Sequence, residues 1–144
     1  MMNLEEKDRI GQYLRPRLGE IVFDELSDAY LEKAGIADIL TGVPIPLKKN
    51  ELGSISTLTI AKCMAFVIGC DPEFKYKENY IAYITRTFEV RFADALIAEG
   101  VETAASKQSY DYACILFRAA MQIEPDNANA YYCYGRACKD AYEA

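Results

Sequence analysis

Tyr132, Arg136 and Lys139 recur at four- and three-residue steps, the spacing that places side chains on one stripe of a helix. A guanidinium can grip a carboxylate through two parallel hydrogen bonds, and a tyrosine ring adds rigid contact area. Such a cationic, aromatic-edged strip is suited to holding a peptide or protein partner. Other chemistry is poorly provided for. The chain contains no histidine, which removes the commonest general base and the commonest metal ligand. Ser-His-acid triads and Cys/His metal sites are therefore excluded within it. Its five cysteines are Cys63, Cys70, Cys114, Cys133 and Cys138. Cys133 and Cys138 lack a C-x-x-C spacing and a matching second pair, so no thiolate zinc site is predicted. The cysteines are expected to pack as small apolar core residues. Asp24 and Asp28 are expected on a solvated helix face, and "LGSISTLT" offers only a lone glycine before a capped helix, not a phosphate-cradling loop. We expect no catalytic residue, no cofactor and no metal ligand, and hence no enzyme.

The bulk properties point the same way. The chain has 144 residues, of which 51% are hydrophobic and 26% charged, the balance of a folded globular protein. Sixteen basic residues face 22 acidic ones, for a net charge of −6. No segment has the positive excess that favours phosphate backbones or anionic membranes. The longest apolar run, Ile60 to Cys70, is interrupted by Lys62 and falls far short of the ~20 residues of a spanning helix. The charged opening "MMNLEEKDRI" has no apolar segment behind it, and the odd cysteine count fits reduced thiols. A cytoplasmic protein that neither enters membranes nor binds nucleic acid is expected.

Periodicity predicts an all-α class, with no confident strand. Leu4 to Leu14 reads as a short helix, and Pro16 interrupts it or starts the next one. Ile21 to Ala34 reads as one amphipathic helix with Val22, Phe23, Leu26 and Tyr30 inward and Gly35 as its stop. An irregular connection, "LTGVPIPLKKNELGS", follows. Ser54 or Ser56 then caps a helix ending at Gly69, with polar Ser56, Thr59 and Lys62 on one narrow stripe. That is the pattern of a central, mostly buried helix. From Lys77 the apolar positions Ile81, Ile84, Phe88, Phe92 and Ala95 continue without a turn signal before Gly100, and Tyr80 and Tyr83 are expected to pack. "SKQS" separates this helix from Tyr110–Ile123.

From Asp94 onward the sequence resembles the tetratricopeptide repeat (TPR), a helix–turn–helix unit of about 34 residues. With Pro125 closing a unit, Tyr110, Ala113, Phe117 and Ala120 fall at the large and small positions of its second helix. "EPDNANAYYCYGRA" continues into a next unit, with Tyr131 at the first large position and Gly135 at the small one. Physically, Ala113 and Ala120 permit close approach, Phe117 fills the space between helices, and Asp126 or Asn127 caps the following helix. The opening helix departs from the pattern, carrying Ile97, Gly100 and Val101 where Trp, Leu and Gly are favoured. The resemblance implies three parts: an irregular helical N-terminal domain (1–92), a TPR-like antiparallel helix pair (93–127), and the first helix of a second unit or a capping helix (128–144). Because Tyr131, Tyr132, Tyr134, Cys138 and Tyr142 occupy more than one side of the last helix, these residues are expected to open a longer repeat protein.

The resemblance also implies where a partner binds. It places Ala98, Glu102 and Ala105 of the first unit, and Asn129, Tyr132, Arg136 and Lys139 of the second, on the groove formed by first helices. The implied function is a non-catalytic scaffold for protein or peptide partners, with self-association left open. The Lys/Asn clamp that some family members use for a C-terminal carboxylate is not supported, since Ala98 and Glu102 stand at its places. One alternative is a DNA-binding regulator, because "STLTIAKCMAFVIGCDPEF" superficially resembles the closing part of a helix-turn-helix domain joined to a TPR-like sensor.

Overall fold

The computed structural model describes residues 11–49, 56–88, 91–106 and 110–142. Its architecture is mostly helical, with one small sheet. A helical turn (α1, Gly11–Leu14) leads into a 3-10 segment, Arg15–Glu20, with Pro16 in its first turn, where the missing N–H costs nothing. Strand β1 (Ile21–Asp24), the short helices α2 (Asp28–Ala34) and α3 (Ala37–Leu40), and strand β2 (Ile45–Lys48) follow. Four long helices succeed them: α4 (Thr57–Cys70), α5 (Lys77–Phe88), α6 (Arg91–Ala105) and α7 (Tyr110–Ile123); α8 (Ala128–Tyr142) is the last element. The amino-terminal part of the predicted Leu4–Leu14 helix, the Ser54 cap and most of "SKQS" lie outside the described residues.

The expected helix over Ile21–Ala34 is in fact two elements. Ile21–Asp24 pairs antiparallel with β2, Ile21 opposite Lys48 and Asp24 opposite Ile45. Ser27 accepts a hydrogen bond from the Tyr30 N–H at 3.2 Å and fixes the helix start at Asp28, while Ile21, Val22 and Phe23 are β-branched or aromatic and suit a strand. Phe23 and Tyr30 are consequently exposed and Leu31 is the buried residue of α2. Gly35 does end α2, in the left-handed conformation with φ 72°, which glycine adopts without strain.

Helix α4 is central, as its pattern predicts. Ser56 caps it by accepting from the Thr59 N–H at 3.1 Å, and between Ile60 and Cys70 only Lys62 is exposed. It ends at Cys70, one residue beyond the expected Gly69, and Gly69 is also a crossing point: a Cβ there would lie 2.8 Å from Ile115 Cγ2 and 2.9 Å from the Ile115 carbonyl carbon. The helix that crosses it, α7, is buried at every residue from Ala113 to Ala120 and packs on α4, α6 and α8. Tyr80 and Tyr83 are core residues of α5, and the Tyr80 hydroxyl donates to the Pro44 carbonyl at 2.6 Å. Buried side chains from Leu14 to Ala137 form one cluster. No helix among the described residues is long and apolar enough to cross a membrane.

Candidate partner-binding cleft

The turn after Pro125 sets the geometry of the last helix. Asn127 is the cap, its side-chain oxygen accepting from the N–H groups of Asn129 (3.0 Å) and Ala130 (3.3 Å). Its amide nitrogen donates to Asp94 at 3.2 Å, tying the start of α8 to the start of α6. Both helices lie against α7, and Ala130 and Ala137 are buried positions of α8. Between α6 and α8 lies a cleft of about 370 Å³. Val101, Ala104 and Ala105 form one wall, the Phe117 ring contributes the floor, and Tyr132, Cys133, Arg136 and Ala137 form the other wall.

The structure brings together three of the sequence-predicted groove residues, Ala105, Tyr132 and Arg136. Tyr132 is 65% exposed, and Arg136 makes no ion pair among the described residues. Ala98, Glu102, Asn129 and Lys139 are exposed but do not line the cleft. Val101 and Ala104 were missed, and the cause is a shift of phase on α6. A Cβ on Gly100 would lie 2.6 Å from the Phe117 ring, whereas Val101 is 47% exposed. Gly100 therefore holds the close-packed place expected of Val101, which turns Val101 toward α8. The conjunction of Gly100 with a large residue four positions earlier, Leu96, is the signal that finds this phase, because Tyr131 and Gly135 repeat it on α8.

Next to Phe117 on α7, Arg118 is a second functional-looking residue that periodicity does not identify. It is 3% exposed, donating from Nε to the Gly69 carbonyl at 2.6 Å and from a terminal nitrogen to the Tyr134 hydroxyl at 3.0 Å. Its charge serves the interior, joining α4, α7 and α8. Another hollow, of about 430 Å³ between α4 and α6, is lined by Leu58, Phe88 and Phe92, and its Lys62 is within 3.8 Å of Glu99. No group of three or more Cys, Asp or Glu among the described residues could hold a metal. The segment before α4, where a helix-turn-helix domain would carry its recognition helix, contains strand β2.

The thiols have the character of packing groups. Burial pushes the Cys70 thiol from 9.0 up to about 12. Contact with Cys138, then burial, raises that of Cys114. A thiol raised in this way is a poor nucleophile at neutral pH. The stability contributed by neutral Cys70 is therefore complete below pH 9 and is lost as pH rises toward 12. Burial also raises Tyr80, Tyr83 and Tyr134 above the tyrosine value of 10.0, in the same direction. Melting temperature should thus be flat near neutrality and fall from about pH 9 upward, followed by circular dichroism alongside alkylation of Cys70. Rapid alkylation of Cys70 in the folded protein at pH 7 would contradict its burial.

Comparisons with protein-family models, with curated proteins and with solved structures give no match to this chain.

Proposed function

We propose that the chain is a non-catalytic interaction module of the TPR type, in which the α6–α8 cleft receives a peptide segment of a protein partner. The observation that carries this reading is the pairing of an apolar floor with exposed polar reach. Phe117, Val101, Ala104 and Ala137 offer a lipophilic slot, and Tyr132 and Arg136 stand beside it on one stripe of α8. The chemistry selects a segment with an apolar side chain for the slot and a neighbouring carboxylate for Arg136, with Lys139 extending the cationic strip. Helix pairing on either side of Pro125, and the small residues Ala113 and Ala120 at 0% exposure, support the TPR-type stacking.

A photo-crosslinking residue in place of Tyr132 would identify the segment, whose affinity is then measured for wild type and for Arg136→Glu/Lys139→Glu. Charge reversal should weaken binding at least about tenfold and reduce its salt sensitivity. Unchanged affinity for the crosslinked segment would remove the assignment.

A further inference from the structure

We propose that Cys114 of α7 and Cys138 of α8 are an oxidisable dithiol, and that peroxide converts them to a disulfide that staples the last helix to the core. Their placement follows from the way the two helices pair. After the turn at 124–127, α8 folds back along α7, and the Arg118 guanidinium meets the Tyr134 hydroxyl at 3.0 Å. Cys114 stands four residues before Arg118, and Cys138 four residues after Tyr134. One helical turn further from the connection, the two cysteines therefore face each other. The thiols do meet: Cys138 is hydrogen-bonded to Cys114 and also to the Tyr134 side chain. Ala113 and Ala137, their neighbours in sequence, are buried, and such small side chains let the helices lie close.

The surroundings divide the work between the two thiols. Cys114 is buried, whereas Cys138 is half-buried, so Cys138 combines access for a small oxidant with contact to a second thiol. Hydrogen peroxide reacts there first: the Cys138 sulfur attacks one peroxide oxygen, the O–O bond breaks, and Cys138 sulfenic acid and one water result. Cys114 Sγ then attacks Cys138 Sγ. The S–S bond forms, the S–O bond breaks, and the Cys114 thiol proton leaves with the hydroxyl as a second water. The two thiols give up two electrons and peroxide accepts them. Toward dissolved reagents Cys114 is a poor nucleophile, because the contact with Cys138, then burial, holds its proton in place. Toward Cys138 it needs no encounter, since an intramolecular attack on a sulfur already in contact replaces a bimolecular one, and the Arg118 charge favours its thiolate. The disulfide closes residues 114–138 into a loop and fixes α8 on α7, whatever the cleft binds.

The test treats the full reduced chain with hydrogen peroxide and maps the products by mass spectrometry of peptides. The folded protein should lose two hydrogens and yield a Cys114–Cys138 linked peptide in about tenfold or greater excess over any other cysteine pair. In urea the same treatment should scatter the linkages over all five cysteines. Cys138→Ser should abolish the product. Cys114→Ala should stop the reaction at Cys138 sulfenic acid, which dimedone traps, whereas wild type should give little dimedone adduct. The linked protein should melt higher than the reduced one by about 5 °C or more, as expected for a loop of this length, and dithiothreitol should restore the reduced melting temperature. Any of four results overturns the proposal: the same scattered linkages with and without urea, persistent Cys138 sulfenic acid in wild type, a dimer linked through Cys133, or a linked protein that melts no higher than the reduced one. Cys138→Ser changes a half-buried residue, so it keeps the test decisive should Cys114→Ala fail to fold.

Discussion

Gly69→Ala is expected to destabilise the protein by about 3 kcal/mol or more, a large share of the ~5–15 kcal/mol that holds a domain of this kind together. The direction is informative because helix propensity alone predicts the opposite, a small gain for removing a glycine from the last turn of a helix. Packing wins here because of what the new methyl would meet. It would lie 2.9 Å from the Ile115 carbonyl carbon and 2.8 Å from Ile115 Cγ2. Backbone cannot rotate away, so α4 and α7 would have to separate where both helices are buried. That movement would also stretch the 2.6 Å bond from Arg118 to the Gly69 carbonyl. Gly100→Ala is the control: it meets the edge of the Phe117 ring, a side chain that can turn, and its loss should be smaller. Urea denaturation of both variants gives the comparison. A Gly69→Ala protein as stable as wild type would mean that α4 and α7 do not cross at this residue.

The same glycine shows why some of the fold was legible and some was not. Local chemistry could be read where it is self-contained. Ser56 caps α4, the Ser56–Thr59–Lys62 stripe marks its thin polar edge, and the break at Pro125 separates α7 from α8. Strand β1 was missed because its four residues have meaning only through pairing with β2 across the chain, and as part of Ile21–Ala34 they satisfied a helical period. Gly69 followed by Pro72 places the end of α4 to within one residue, but nothing in sequence shows that another helix arrives there from the side. For the cleft, Tyr132 and Arg136 could be found from their spacing alone. Glu102 and Ala98 fell wide because the α6 partner of Phe117 is Gly100, one residue from the position the repeat pattern favoured. Arg118 was invisible for a different reason. A lone cation in an apolar helix marks a solvated edge by pattern, and its buried acceptors lie on two other helices.

Arg118 carries the second large effect: Arg118→Ala should cost about 3 kcal/mol, from a lost side-chain volume plus two buried polar groups left without this donor. One of those groups is at a helix terminus. The last carbonyls of α4 have no intrahelical partner, and while the Val67 carbonyl accepts from the Asp71 N–H, the Gly69 carbonyl accepts from Arg118 at 2.6 Å. A buried cation at a helix C-terminus also gains from the helix dipole, by up to about 2 kcal/mol. The other group is the Tyr134 hydroxyl at 3.0 Å, so the guanidinium transmits the position of α4 to α8, the helix that bears Tyr132 and Arg136. Arg118→Lys keeps the charge but cannot reproduce a planar fork with two donors directed at separate helices, and should recover only part of the loss. Tyr134→Phe should cost about 1 kcal/mol, and the Arg118/Tyr134 double-mutant cycle should show coupling of similar size. Amide exchange in α8 should quicken in Arg118→Ala more than in Tyr134→Phe, because only the former also frees the end of α4. Lysine matching arginine in stability, with unaltered exchange in α8, would show that these two hydrogen bonds do not hold the helices together.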